Sequence, residues 1–199
     1  MTPMRRFHAR FLPLAAALAV CASAIVLAKV KVQVDFDPAF DFSALHMWTW
    51  HPDGPGNARM LVTKDDDSAA FKKQLEPRLL PLVEAELGKR GFAKAGGAEP
   101  DFYMTYYVLA TVGASDQYMG QFLPGTVWGI PFVPPATSSL SVFPHGALIL
   151  DVTARAQQMV VWRGVAQAEI KWDESQAKRD ARIREAVEEL LKQFPPKKK

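Results

Sequence analysis

Two apolar stripes at helical spacing limit what this chain can become. Phe71, Leu75, Leu79, Leu82, Val83 and Leu87 recur three and four residues apart, and Ile183, Val187, Leu190, Leu191 and Phe194 do so again near the C-terminus. Each stripe is the buried face of an amphipathic helix, and each needs a surface to cover. The first helix is expected to begin around Asp65, Asp66 and Asp67, where carboxylates suit the free N–H groups of a helix start. Gly91 stands where a left-handed cap residue ends it. Pro77 and Pro81 predict a kink or two short helices, the main one running from about Pro77 to Arg90. Asp173 is expected to cap the second helix, and Pro195-Pro196 to end it.

Strands supply the surface. Residues 30–35 alternate apolar and polar with β-branched side chains, a half-buried strand broken by Asp37-Pro38. Leu45 to Trp50 predicts a second strand, and residues 52–64, rich in Pro, Gly and Asn, read as a loop. Asp101 to Val112 carries aromatic and β-branched residues on both faces, as a central strand does. Gly146 to Thr153 and Met159 to Ala168 predict a hairpin through the polar turn 155–158. The order β-β-α-β-β-β-α predicts an α+β two-layer sandwich. Both helices would lie on one face of a mainly antiparallel sheet of four to five strands.

The N-terminus reads differently from the rest. Arg5, Arg6 and Arg10 precede an uncharged run from Phe11 to Ala28, and both Ala22-Ser23-Ala24 and Val26-Leu27-Ala28 are small-x-small sites. This is the pattern of a signal peptide over residues 1–28, cleaved after Ala28 or Ala24, which predicts export to the periplasm or envelope. Two other readings stand beside it. Cys21 could be acylated as in a lipoprotein, although Val20 precedes it where a small residue is usual, and Phe11–Ala28 is just long enough to stay as an anchor. Removing the three leader arginines from the 24 basic side chains leaves as many as the 21 acidic ones. The mature domain, 29–196, is thus near neutral and has no electrostatic reason to bind nucleic acid. Residues 197–199 are a short basic tail. Cys21 is the single cysteine, so a cleaved chain has no thiol for a disulfide or a nucleophile.

Few residues are candidates for chemistry. Asp35, Asp37 and Asp41 are spaced like calcium ligands but lack the glycine and bidentate glutamate of such a loop, and turn capping explains them more simply. His46, His51 and His145 are too few and too dispersed for zinc. No Gly-x-Ser-x-Gly elbow or phosphate cradle occurs, and Ser138, Ser139 and Ser141 lie in a neutral segment. The pairs Glu84 with Glu86 and Glu188 with Glu189 are expected on solvated helix faces. Trp48, Trp50, Trp162 and Trp172 read as packing residues before they read as a ligand stack. Arg163 is expected to pair with Asp151 across the hairpin. No catalytic residue, metal or cofactor is predicted. The anomaly is 113–145, long, apolar and rich in Gly and Pro, with Asp116 its one charged residue. Such a segment packs on its own domain or covers a partner, and Tyr118, Phe122, Trp128 and Phe132 are its candidate contact residues.

Seven short segments then occur in a familiar order. They are Val34-Asp35-Phe36-Asp37-Pro38, Asp41-Phe42-Ser43, Thr49-Trp50, Pro100-Asp101-Phe102, Gly146 to Val152, Val161-Trp162-Arg163-Gly164 and Phe194-Pro195-Pro196. Together, over roughly residues 30–196, they resemble the family called domain of unknown function 4136. The resemblance implies an exported envelope protein, often lipid-anchored in its relatives, and brings no activity or catalytic residue with it. Three functions remain open. The favoured one is a non-catalytic binding or assembly module that uses the sheet and 113–145 to contact an envelope protein. A periplasmic carrier of a lipid or other apolar small molecule is the alternative, and a hydrolase or metal-dependent enzyme of unfamiliar layout comes last.

Overall fold

In a computed structural model of the 199-residue chain, residues 30–61, 65, 67–112, 144–171 and 173–197 are described. Among the described residues seven strands and two α-helices follow one another, with a short 3-10 turn at Phe42–Ala44. They are β1 (Lys31–Phe36), β2 (Met47–Trp50), β3 (Gly56–Leu61), α1 (Ser68–Lys89), β4 (Ala93–Lys94), β5 (Phe102–Val112), β6 (Pro144–Ala154), β7 (Met159–Glu169) and α2 (Gln176–Leu191). The α+β class and the two helices stand as expected. The sheet is larger and mixed, which corrects the expectation of four to five mainly antiparallel strands.

Its order is β1-β7-β6-β5-β2-β4, with β3 also on β5. β1, β7, β6 and β5 pair antiparallel, whereas β2, β3 and β4 run parallel to their neighbours. The parallel pairing follows from α1, since the chain leaves β3, crosses the sheet as a helix, and returns to enter β5 in the same direction. β2 and β3 share one lane beside β5. β2 pairs with Phe102–Met104 and β3 with Tyr106–Thr111. Across the gap the ladder continues through His51 N–H to the Met104 carbonyl at 3.0 Å and Tyr106 N–H to the Pro55 carbonyl at 2.9 Å.

β3 overturns the reading of 52–64 as loop. Its residues lack alternation and β-branching, and pairing with β5 holds it. Gly56, at φ +156°, lies so close to Tyr106 that a Cβ there would sit 2.1 Å from the Tyr106 carbonyl oxygen, so no other residue fits.

α1 is one helix, not two. Asp67 caps it by accepting from the N–H groups of Ala69 and Ala70. Pro77 and Pro81 both lie on its exposed side, four residues apart, so the hydrogen bonds they delete are those of the outward Lys73 and Pro77 carbonyls, which water can satisfy. Gly91 follows the helix at φ +87°. α2 is capped by Ser175, without a side-chain bond, rather than by Asp173.

The register assembles the helix-facing side row by row. Phe36, Trp162, Val152, Met104 and Trp50 form one row, and Val34, Gly164, Leu150 and Tyr106 the next. Both helices bury their stripes in this single core, with Leu79, Val83, Leu87, Val187, Leu190 and Leu191 fully enclosed. Each such side chain contributes about 1.5–3 kcal/mol. Phe194 closes the wide end among Phe42, Phe92, Phe102 and Trp162, at ring separations of 5.1–6.2 Å. Among the described residues no helix is long and apolar enough to cross a membrane.

Candidate functional site

The core rows shrink toward the end of the sheet where both helices begin. Beyond the Tyr106 row come Val32, Ala166, Leu148, Val108 and Ala58, and then Ala168, Gly146 and Ala110 with Met60. Tryptophan, tyrosine and phenylalanine fill one end of the interlayer space, while alanine and glycine leave the other end short of atoms. Phe71, Leu75 and Leu79 of α1 and Ile183 and Ala186 of α2 cover these small residues from above. A cavity of about 190 Å³ remains between the layers, and its walls are almost wholly apolar. Apolar cavities of about 150 Å³ take up benzene-sized guests, so this one has room for a ring or a short length of alkyl chain.

Five of the residues that line the cavity carry charge. Arg78, Lys171, Arg179 and Arg182 reach its wall, with Glu169 the one acid among the lining side chains. Arg78 Nε donates to Asp180 Oδ1 at 2.5 Å, tying α1 to α2. Arg179 donates to the Glu174 carbonyl and, at 2.9 Å, to Gln176 Oε1. Arg182 is largely enclosed, with 10% of its side chain exposed. It donates to the Glu169 carbonyl at 2.8 Å and to the Glu174 carboxylate. Its Nε is buried and has no hydrogen-bond partner.

The opposite side of the sheet holds a second, smaller cluster of Leu109, Ala147, Ile149 and Val165 with Tyr107 beside it. Arg163 and Asp151 face each other next to it, as the hairpin register predicts. The pair is bidentate, with Arg163 Nε donating to Asp151 Oδ1 at 2.6 Å and the terminal nitrogen to Oδ2, and both side chains are 3% exposed. Burial pushes the Asp151 carboxyl up and the Arg163 guanidinium opposes it. Burial also raises the Tyr107 phenol, to about 12, with the Asp151 charge adding to it.

The other sequence candidates are spent on structure. Asp37 and Asp41 cap turns by accepting from the N–H groups of Ala39 and Ser43, and Asp35 accepts from Phe36 N–H. His51 stacks edgewise on Tyr103 at 5.4 Å, and His46 is exposed. Asp101 Oδ2 accepts from the N–H groups of His46 and Met47 at 2.8 Å each, binding the start of β2 to the start of β5. Glu86 is not on a solvated face, a correction to the sequence reading, whereas Glu84 stays about one-third exposed. Glu84 accepts from Trp50 Nε1 at 3.0 Å and Lys94 at 2.6 Å, and Glu86, 8% exposed, is held by Lys89 and Arg90. Glu188 is exposed as expected. Trp48 and Trp162 are core residues, and Trp50 packs on Trp48 at 5.4 Å. Tyr118, Phe122, Trp128, Phe132, Ser138, Ser139, Ser141 and Trp172 lie outside the described residues. Among the described residues no three His, Cys, Asp or Glu side chains gather as a metal site would require.

Comparison with known proteins adds the family. The model of the domain of unknown function DUF4136 matches residues 32–196. The chain belongs to the DUF4136 family. Among solved structures, this DUF4136 chain is similar to a DUF4136 family protein from Bacteroides thetaiotaomicron, at 14% identity and a TM-score of 0.45, covering 83% of this chain and 96% of that one. It is also similar to a PDZ domain protein from Parabacteroides distasonis, at 16% identity and a TM-score of 0.48, with 86% of this chain but only 36% of that one covered. The PelC dodecamer from Paraburkholderia phytofirmans is a third, at 8% identity and a TM-score of 0.38, covering 82% and 95%. No curated protein matches the chain.

Proposed function

We propose that this DUF4136 protein is a non-catalytic, exported envelope protein that works by binding, and that its ligand is a lipid or other apolar molecule whose chain enters the cavity between helices and sheet. The observation that carries the reading is the cavity itself, about 190 Å³ of apolar, partly open space between the helices and the sheet. A native interior is close-packed, and an empty apolar volume costs stability in proportion to its size. Space kept open by alanine and glycine on three neighbouring strands fits a site for a guest. The leader-like pattern of residues 1–28 supports export. Asp35, Asp37, Asp41, Asp101, Glu84, Glu86 and the Asp151–Arg163 pair are engaged in caps, backbone bonds and ion pairs, which favours binding over catalysis at those groups.

The test is titration with N-phenyl-1-naphthylamine, a neutral dye that brightens on entering apolar space. Wild-type protein should bind it, and Ala166→Leu, which fills the cavity from the sheet side, should abolish binding while thermal stability holds or rises. Equal binding by both proteins, or none by wild type, would remove the carrier reading. The binding-module reading, with 113–145 as its contact surface, would then stand alone.

A further inference from the structure

We infer that residues 113–143 dock on the second face of the sheet, the one turned away from the helices, and complete the fold as a third layer. The inference goes beyond the apolar-ligand reading and does not depend on it. Both helices pack on the other face in the main core, and among the described residues no element packs over this one. A side chain on a bare sheet face keeps its tip in water, and such a face is normally polar. Here Leu109, Ala147, Ile149 and Val165 are at most 8% exposed, and the side chains of Asp151 and Arg163 are 3% exposed.

The buried footprint has an outline that points to its cover. It spans the centre of β5, β6 and β7 and stops on both sides, since Lys31, Gln33 and Asp35 of β1 and Asn57 of β3 are exposed on the same face. Along the strands it gives way at one end to the half-buried Tyr103, Thr105 and Thr153. At the other end Leu109 and Ala147 lie three residues from Val112 and Pro144, the register partners between which the chain leaves β5 and returns to β6. The connection is apolar, with Asp116 its one charge. Asp151, the deepest buried residue of β6 on this face, is about 23 Å from Pro144 at about 3.3 Å per residue, so a segment of this length can run out over the footprint and back. The other long stretch outside the described residues, 1–29, joins the sheet through β1, whose own side chains on this face are exposed. The large apolar residues of 113–143 are thus spent on the chain's own sheet.

The test is a photo-crosslinker in place of Tyr107, which packs beside the buried cluster. Tyr107→p-benzoylphenylalanine in the full chain, irradiated and digested with chymotrypsin, should give a monomeric product joined to a peptide from 113–143. A cross-link to residues 1–29 overturns the assignment in favour of the leader, and a cross-linked dimer overturns it in favour of a second copy. No cross-link at all also overturns it, and returns 113–143 to the contact role of the binding-module reading. In a second measurement, Val165→Cys in a Cys21→Ser background should react with a water-soluble disulfide reagent at least about a hundredfold more slowly than the urea-unfolded chain. A rate within about tenfold of the unfolded one means an uncovered face and overturns the inference. Neither measurement touches dye binding in the cavity, so the two readings fail separately.

Discussion

At the scale of single residues, a buried charge is decided by its partner. Asp151 and Arg163 sit opposite each other in a hairpin whose turn and register are written locally, so their pairing was legible from spacing. Glu86 was not. It stands beside Leu87 at the edge of the α1 stripe, and only the approach of α2, marked by Arg90 Nε donating to the Leu191 carbonyl at 2.7 Å, encloses it. The Asp151–Arg163 pair makes a sharp prediction. Arg163→Met alone should lower the unfolding free energy by about 3–5 kcal/mol, because it strands a carboxylate in the interior. Asp151→Leu combined with Arg163→Met should recover most of that loss. Urea denaturation of the two variants is the check, and a single variant within about 0.5 kcal/mol of wild type would contradict the buried-charge account.

Among the elements, α1 and β3 show how neighbours override local signals. Two prolines argued for a broken helix, yet both face water, where the orphaned carbonyls find other partners. Pro81→Ala should therefore raise stability, by less than the about 3 kcal/mol that separates Pro from Ala inside a helix, since water already offsets part of the missing bond and proline restrains the unfolded chain. A thermal midpoint lower in Pro81→Ala would refute the account. In β3 nothing in Gly56-Asn57-Ala58-Arg59-Met60-Leu61 marks a strand; the exposed edge of β5 does. Gly164 makes the same point within β7. A methyl there would meet the Trp162 ring at 2.6 Å and Leu190 at 2.7 Å, a demand set by an indole folded over its own strand and by a helix that comes later in the chain.

Over the whole molecule, acid should loosen the fold through carboxylates that join distant segments. The Asp101 carboxyl is held below its ordinary range, first by the Met47 N–H bond, with burial opposing and the His46 N–H bond assisting. In Glu84 and Glu86 burial works upward, but bonds from Lys94 and Trp50 in the one, and from Lys89 and Arg90 in the other, outweigh it and lower both. A carboxyl lowered by folding contributes stability that is present above its unfolded value, about 4, and is lost as pH falls through the folded value. Asp151, raised by burial, acts in the opposite sense. With three lowered groups against one, the urea midpoint should drop between about pH 5 and about pH 3, and Asp101→Asn should flatten the slope. A midpoint unchanged over that range would rule the linkage out. The sequence by itself determined the two helical stripes, the central strand, the hairpin and its ion pair, because periodicity and turn chemistry are properties of consecutive residues. Only the tertiary structure decided that the sheet is mixed, that β3 exists, and that alanines and a glycine from β5, β6 and β7 meet under two helix starts. A cavity belongs to no segment, and its volume is set by which side chains face one another after the chain has folded.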